Sequence, residues 1–146
     1  MNKIDFIREN NRIENIHRDP LPAEIDEYDR FITLDEVTVT ELERFVSVYQ
    51  PGAVLRREIG LDVRVGRHMP PPGGHDIEVQ LTSLLDNIDR MKPWVAHVRY
   101  ETIHPFTDCN GRSGRMLWAW TMLGHPFMDL GFLHAFYYQS LDTQRI

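Results

Sequence analysis

The sequence predicts an all-α fold, a compact helical bundle carrying one small β-hairpin. Three observations predict it. Apolar residues recur at helical spacing through Ile77, Leu81, Leu84, Leu85 and Ile88, the run from Met116 to Leu123 is apolar almost all round, and β-prone pieces are confined to residues 53–66. At 146 residues the chain has the size of one ordinary domain, so residues 1–146 are expected to share a single core.

Ile4, Phe6 and Ile7 begin an amphipathic helix that continues through Ile13 and Ile16. It ends at Asp19-Pro20, because the residue before a proline is pushed out of the helical region. A second helix opens near Thr40-Glu41-Leu42, capped by Thr38 or Thr40 and stopped by Gln50-Pro51-Gly52. Ala53 to Arg56 and Leu61 to Val65 then read as the two arms of a hairpin turning at Ile59-Gly60. The prolines and glycines between Met69 and Gly74 make a stiff connector that neither helix nor central strand tolerates.

A helix from about Asp76 to Arg90 follows, and Pro93 sits in the first turn of the next, where its missing N–H does no harm. The apolar run from Met116 to Leu123 belongs at the centre of the domain and stops at Gly124 and Pro126. Phe132 to Leu141 reads as a closing helix. His125-Pro126-Phe127-Met128-Asp129 echoes an upstream motif but lacks its continuation, and reads as a helix stop with an aromatic anchor.

Composition narrows the partners. With 42% hydrophobic and 26% charged residues, no apolar run nears the roughly 18 residues that cross a membrane, and charges occupy the place of a signal peptide's apolar stretch. The expected compartment is the cytoplasm, in keeping with one cysteine and hence no internal disulfide. A net charge of −6 argues against nonspecific coating of nucleic acid, which requires a basic surface.

The passage richest in chemistry is His104 to Arg115, His-Pro-Phe-Thr-Asp-Cys-Asn-Gly-Arg-Ser-Gly-Arg. Small residues feeding a helix N-terminus form a natural anion site, since the first N–H groups are unpaired and the helix end is partly positive. Gly111 permits positive φ and close approach of a phosphate; Asn110 offers a hydrogen bond to a phosphate oxygen; Arg112 and Arg115, one turn apart, are placed to grip a polyphosphate. Asp108 is an oxygen ligand suited to Mg²⁺, which takes only one or two carboxylates. His104 is suited to accept a proton from an attacking hydroxyl, and Phe106 to anchor the loop.

The run resembles the signature of the Fic family, His-x-Phe-x-Asp/Glu-Gly-Asn-Gly-Arg-x-x-Arg, with Cys109 in place of a glycine. The resemblance implies a compact Fic-fold bundle whose core helices span 94–124 around the catalytic loop 104–115, with residues 53–66 as a flap. By the same resemblance, the activity is transfer of AMP from ATP to a Ser, Thr or Tyr hydroxyl of a target protein. His104 is then the base, Asp108 binds Mg²⁺, Cys109, Asn110, Gly111, Arg112 and Arg115 line the nucleotide site, and an extended target segment pairs with the flap. His97 and Tyr137-Tyr138 have counterparts in the family but are expected to pack in the core.

Residues Asn10 to Asn15 resemble the inhibitory helix of self-regulated members, Ser/Thr-x-x-x-Glu-Gly/Asn, matching at Glu14 and Asn15 and departing at Asn10. The implied role of Glu14, within an N-terminal inhibitory helix over 1–18, is to pair with Arg115 and deny it to the γ-phosphate. Two alternatives stay open: another Fic-type transfer, including removal of AMP, and a nucleotide-binding module without catalysis, for which Cys109 is the reason. Target, base preference and the choice between monomer and homo-oligomer also stay open. A cysteine at a helix N-terminus beside arginines is further expected to have a lowered thiol pKa and so to be sensitive to oxidation.

Overall fold

The computed structural model describes residues 2–123. They form six α-helices: α1 Lys3–Ile13, α2 Pro22–Ile32, α3 Val39–Tyr49, α4 His75–Asp86, α5 Pro93–Ile103 and α6 Asn110–Thr121, with a short 3-10 turn at Ile88–Arg90. The all-α expectation holds for these residues. The closing helix, Tyr137-Tyr138 and the echo at 125–129 lie outside them.

Local chemistry sets the helix limits. Asn2 caps α1 by accepting from the Asp5 N–H at 2.9 Å, and Thr38 caps α3 by accepting from Glu41 at 3.3 Å. The first helix ends at Ile13, earlier than its apolar spacing suggests, because Asn15 is left-handed at φ 62°. Ile16 N–H then bonds to Asn11 O at 3.0 Å and Asn15 N–H to Arg12 O at 2.9 Å, the paired closure of a Schellman motif.

α2 is absent from the sequence reading. Its many charges hide a narrow apolar stripe, and it begins at Pro22 with Leu21 N–H donating to the Glu24 carboxylate at 2.8 Å. The expected helix from 76 to 90 is α4 followed by the 3-10 turn.

α6 lies at the centre, in contact with α1, α2, α3 and α5. Met116, Leu117 and Ala119 enter a continuous core with Phe31, Leu42, Phe45, Leu81 and Tyr100. Phe45 stacks on Tyr49 with ring centroids 4.2 Å apart and meets Phe31 edge-on at 5.5 Å, which locks α3 to α2. Ile13 instead joins a second apolar cluster with Trp94, Val98 and Trp118.

The segment expected as a hairpin is built differently. The turn near Ile59-Gly60 forms, with Leu61 N–H on Glu58 O at 3.2 Å. Its arms, however, do not pair with each other. Leu55 forms an isolated antiparallel bridge with Phe106 of the motif, and Val65 with His68 around Gly66. The reason is burial: Leu55 and Phe106 are both in the core, and strand-type bonds from Arg56 N–H to Pro105 O (2.8 Å) and from Thr107 N–H to Val54 O (2.9 Å) follow that packing.

No helix among the described residues is long and apolar enough to cross a membrane.

Candidate active site

Helix α5 delivers His104 as its C-cap in left-handed conformation (φ 50°, ψ 63°), and six residues later α6 begins. Between them the loop closes on itself. Asn110 Nδ2 donates to Phe106 O and Asn110 Oδ1 accepts from Phe106 N–H, both at 2.8 Å. The side-chain amide expected to reach a phosphate is therefore committed to holding the loop. The anion-binding capacity rests on backbone N–H groups at the start of α6, where the helix dipole also favours negative charge.

Gly111 differs from expectation too. Its backbone is helical, and the positive φ falls on Cys109, at φ 69° and ψ 16°, the N-cap of α6. Glycine at 111 instead leaves room for the Glu14–Arg115 contact: a Cβ there would lie 2.2 Å from Glu14 Oε1, which would have to shift. The Cys109 side chain points into the core and is buried. Burial pushes its thiol up to about 12, outweighing the pull of Arg112 and Arg115. This corrects the expected lowered pKa: the local arginines act in the right direction but are too weak against loss of water.

Arg112 and Arg115 are both buried. Arg112 donates to Tyr49 O at 3.1 Å and to Gln50 Oε1 at 2.7 Å, anchoring the end of α3. Its buried Nε has no hydrogen-bond partner among the described residues. Arg115 turns to α1: Nε donates to Asn10 Oδ1 at 2.6 Å and Nη2 to Glu14 Oε1 at 2.5 Å, across 101 positions of sequence. Asn10 also donates from Nδ2 to Arg112 O at 3.1 Å. The residue noted as a departure from the inhibitory pattern thus touches both motif arginines. A hydroxyl has one proton to give, whereas an amide offers separate donor and acceptor groups.

The helix carrying Glu14 is held from behind. Asn11 Nδ2 donates to Glu24 Oε2 at 3.2 Å and Arg18 Nη1 to Glu24 Oε1 at 2.7 Å. Burial alone would raise the Glu24 carboxyl, but Arg18, the Leu21 N–H and Asn11 together hold it below its ordinary range.

His104, Asp108, Cys109, Asn110, Gly111, Arg112, Arg115 and Glu14 line one cavity of about 550 Å³. Asp108 is exposed at its rim; one carboxylate oxygen accepts from Cys109 N–H at 2.7 Å. Among the described residues no cluster of three His, Cys, Asp or Glu forms a ready metal cage. A lone rim carboxylate still fits Mg²⁺, which completes its shell from water and substrate phosphates. His97 is buried away from the cavity, its Nδ1–H donating to Gly114 O at 3.1 Å and its ring stacked on Trp118.

Sequence reasoning missed two further groups. Glu101, one helical turn before His104, is buried with Oε2 at 3.7 Å from His104 Nδ1; its i, i+3 spacing was the available signal. Arg56 is fully buried among carbonyls, donating to His104 O at 2.7 Å, Ile103 O at 2.9 Å, Pro71 O at 2.8 Å and Leu61 O at 3.1 Å. It caps α5 and ties residues 61–71 to the backbone of His104. No spacing pattern marks it, because its partners are all main-chain oxygens, three of them 15 to 48 positions away.

Comparison with known proteins agrees with this architecture. A search of curated proteins finds no match. The family model described as Fic/DOC family matches residues 31–123, from the end of α2 through α6 and including the whole loop from His104 to Arg115, and the chain therefore belongs to the Fic/DOC family.

Proposed function

We propose that this Fic-domain protein is an adenylyltransferase, moving AMP from ATP to a hydroxyl side chain of a target protein, and that Glu14 inhibits it. The observation that carries the reading is the convergence of His104, Asp108, the α6 N-terminus and both arginines on a cavity that Glu14 also enters. Nucleotide phosphate needs cationic and N–H donors, and the acceptor hydroxyl needs a base; that cavity supplies both.

In this scheme His104 removes the proton of the target Ser, Thr or Tyr hydroxyl as its oxygen attacks the α-phosphorus. The bond to the β-phosphate bridging oxygen breaks, and pyrophosphate leaves with that electron pair. The N–H groups of Asn110, Gly111 and Arg112 face the phosphate oxygens, while Arg112 Nε and the Arg115 guanidinium hold the outer phosphates. Mg²⁺, held by Asp108, would neutralise phosphate charge when bound. The target segment lies along residues 53–66, where an extended backbone can accept strand-type bonds. The protein acts in the cytoplasm.

Inhibition follows from competition. Glu14 Oε1 lies 2.5 Å from Arg115 Nη2, so a γ-phosphate seeking that guanidinium meets a carboxylate already there.

The test is auto-modification with α-labelled ATP. Glu14→Gly is expected to incorporate label at least about tenfold faster than wild type, since one charged contact is worth roughly 1.5–3 kcal/mol. Adding His104→Ala should reduce that rate about a hundredfold or more with ATP still bound. Equal incorporation by wild type and Glu14→Gly would overturn inhibition, and ATP binding without transfer from either would favour a non-catalytic module.

A further inference from the structure

Glu101 and Gly114 have no part in the scheme above, yet each carries a physical cost. Glu101 is a carboxylate with 3% of its side chain exposed, and burying such a group costs desolvation that its surroundings must offset. Gly114 lies inside α6, where glycine weakens a helix by about 1 kcal/mol relative to alanine. The two costs meet at one point. A Cβ on residue 114 would lie 2.1 Å from Glu101 Oε1, so the glycine makes the room in which the carboxylate sits against α6. From there Oε2 reaches to 3.7 Å from His104 Nδ1.

We propose that Glu101 is a positioning residue for His104, orienting its imidazole through Nδ1, and that Gly114 exists to admit it. The inference rests on the reading of His104 as the base. A carboxylate beside Nδ1 favours the tautomer with its proton on that nitrogen, leaving the Nε2 lone pair for the cavity that His104 lines. As Nε2 takes a proton, the buried negative charge stabilises the imidazolium, more strongly than it would in water. The left-handed backbone of His104, fixed from the other side by Arg56 Nε on its carbonyl at 2.7 Å, gives the ring a rigid base from which to be oriented.

The experiment is ¹⁵N NMR of the histidine side chains at a pH where the imidazole is neutral, on wild type, Glu101→Met, Glu101→Gln and Gly114→Ala. Wild type is expected to show His104 predominantly as the Nδ1–H tautomer. Glu101→Met should lose that preference and Glu101→Gln keep part of it. Gly114→Ala, which displaces the carboxylate without altering either side chain, should resemble Glu101→Met and keeps the test open if Met at 101 prevents folding.

In the Glu14→Gly background, kcat for auto-modification should fall about a hundredfold in Glu101→Met with KM for ATP unchanged, and recover at least tenfold of that loss in Glu101→Gln. An unchanged His104 ¹⁵N pattern in both Glu101→Met and Gly114→Ala would overturn the proposal. Because the NMR readout needs no turnover, a protein that transfers nothing defeats the proposed activity while leaving this test intact.

Discussion

The end of α1 and the start of α6 meet at the cavity, and each depends on a left-handed residue. At α1 it is Asn15, with φ 62°; at α6 it is Cys109, with φ 69°. Asparagine visits this region at low cost, and the hydrogen bonds of the Schellman closure supply the rest, so the α1 end is made by local sequence. Cysteine has no such ease. It is held left-handed by its burial in the core and by the loop that Asn110 closes onto Phe106. One end is relaxed and the other strained.

Their charges oppose as well. The C-terminal end of α1 is partly negative and bears Glu14; the N-terminal end of α6 is partly positive and bears Arg112 and Arg115. The contrast teaches that an anion approaching α6 meets a site shaped for it but already matched by the end of another helix. The strained partner is the one that carries the proposed phosphate site.

The largest expected effect comes from separating the two ends. Asn10→Ala removes the acceptor for Arg115 Nε and the donor to Arg112 O, two buried contacts between α1 and the motif. Stability should fall by about 1–3 kcal/mol, and auto-modification should rise toward the Glu14→Gly level. Thermal unfolding and label incorporation measure the two; unchanged values in both would mean that α1 docks through Glu14 alone.

Next comes the strained end. Inside an ordinary helix alanine is more stabilising than glycine, but at φ 69° the order should invert. Cys109→Gly is expected to be more stable than Cys109→Ala by about 1 kcal/mol in denaturant titrations. The relaxed end should respond less: Asn15→Gly should stay within a few tenths of a kcal/mol of wild type, because glycine and asparagine both accept this conformation. If Asn15→Gly shifts stability as much as Cys109→Gly, the two ends do not differ in strain.

The smallest effect is a null one. With its thiol pushed up to about 12, Cys109 keeps its proton at neutral pH. Iodoacetamide should leave the native protein unlabelled and react only after unfolding, with native-state reactivity appearing as pH rises toward that value. Rapid native labelling at neutral pH would show the residue to be exposed and its left-handed backbone unsupported.

Much of this was readable in the chain. Helices α3, α4 and α5 follow from caps, prolines and apolar spacing, all of which act within a few residues. The motif loop was readable for the same reason, since His104 to Arg115 encode a turn, a helix start and their charges in one run. α2 escaped because two glutamates, Glu24 and Glu27, are buried on it against Arg18 and Arg30, so polarity did not mark the surface. The arms at 53–66 were misassigned because β-prone residues specify extended backbone without naming a partner. Phe106, about a third of the chain away, is that partner.

By itself the sequence determined the helical class, the family and which chemical groups stand at the start of α6, because propensity, capping and motif spacing are short-range. Tertiary structure decided how those groups are used. It committed Asn110 to the loop, gave Arg112 to α3 and Arg115 to α1, moved the left-handed residue from Gly111 to Cys109, and raised a thiol that its neighbours alone would have lowered. Each of these turns on burial and on contacts between residues far apart in the chain, and neither quantity exists until the helices have packed.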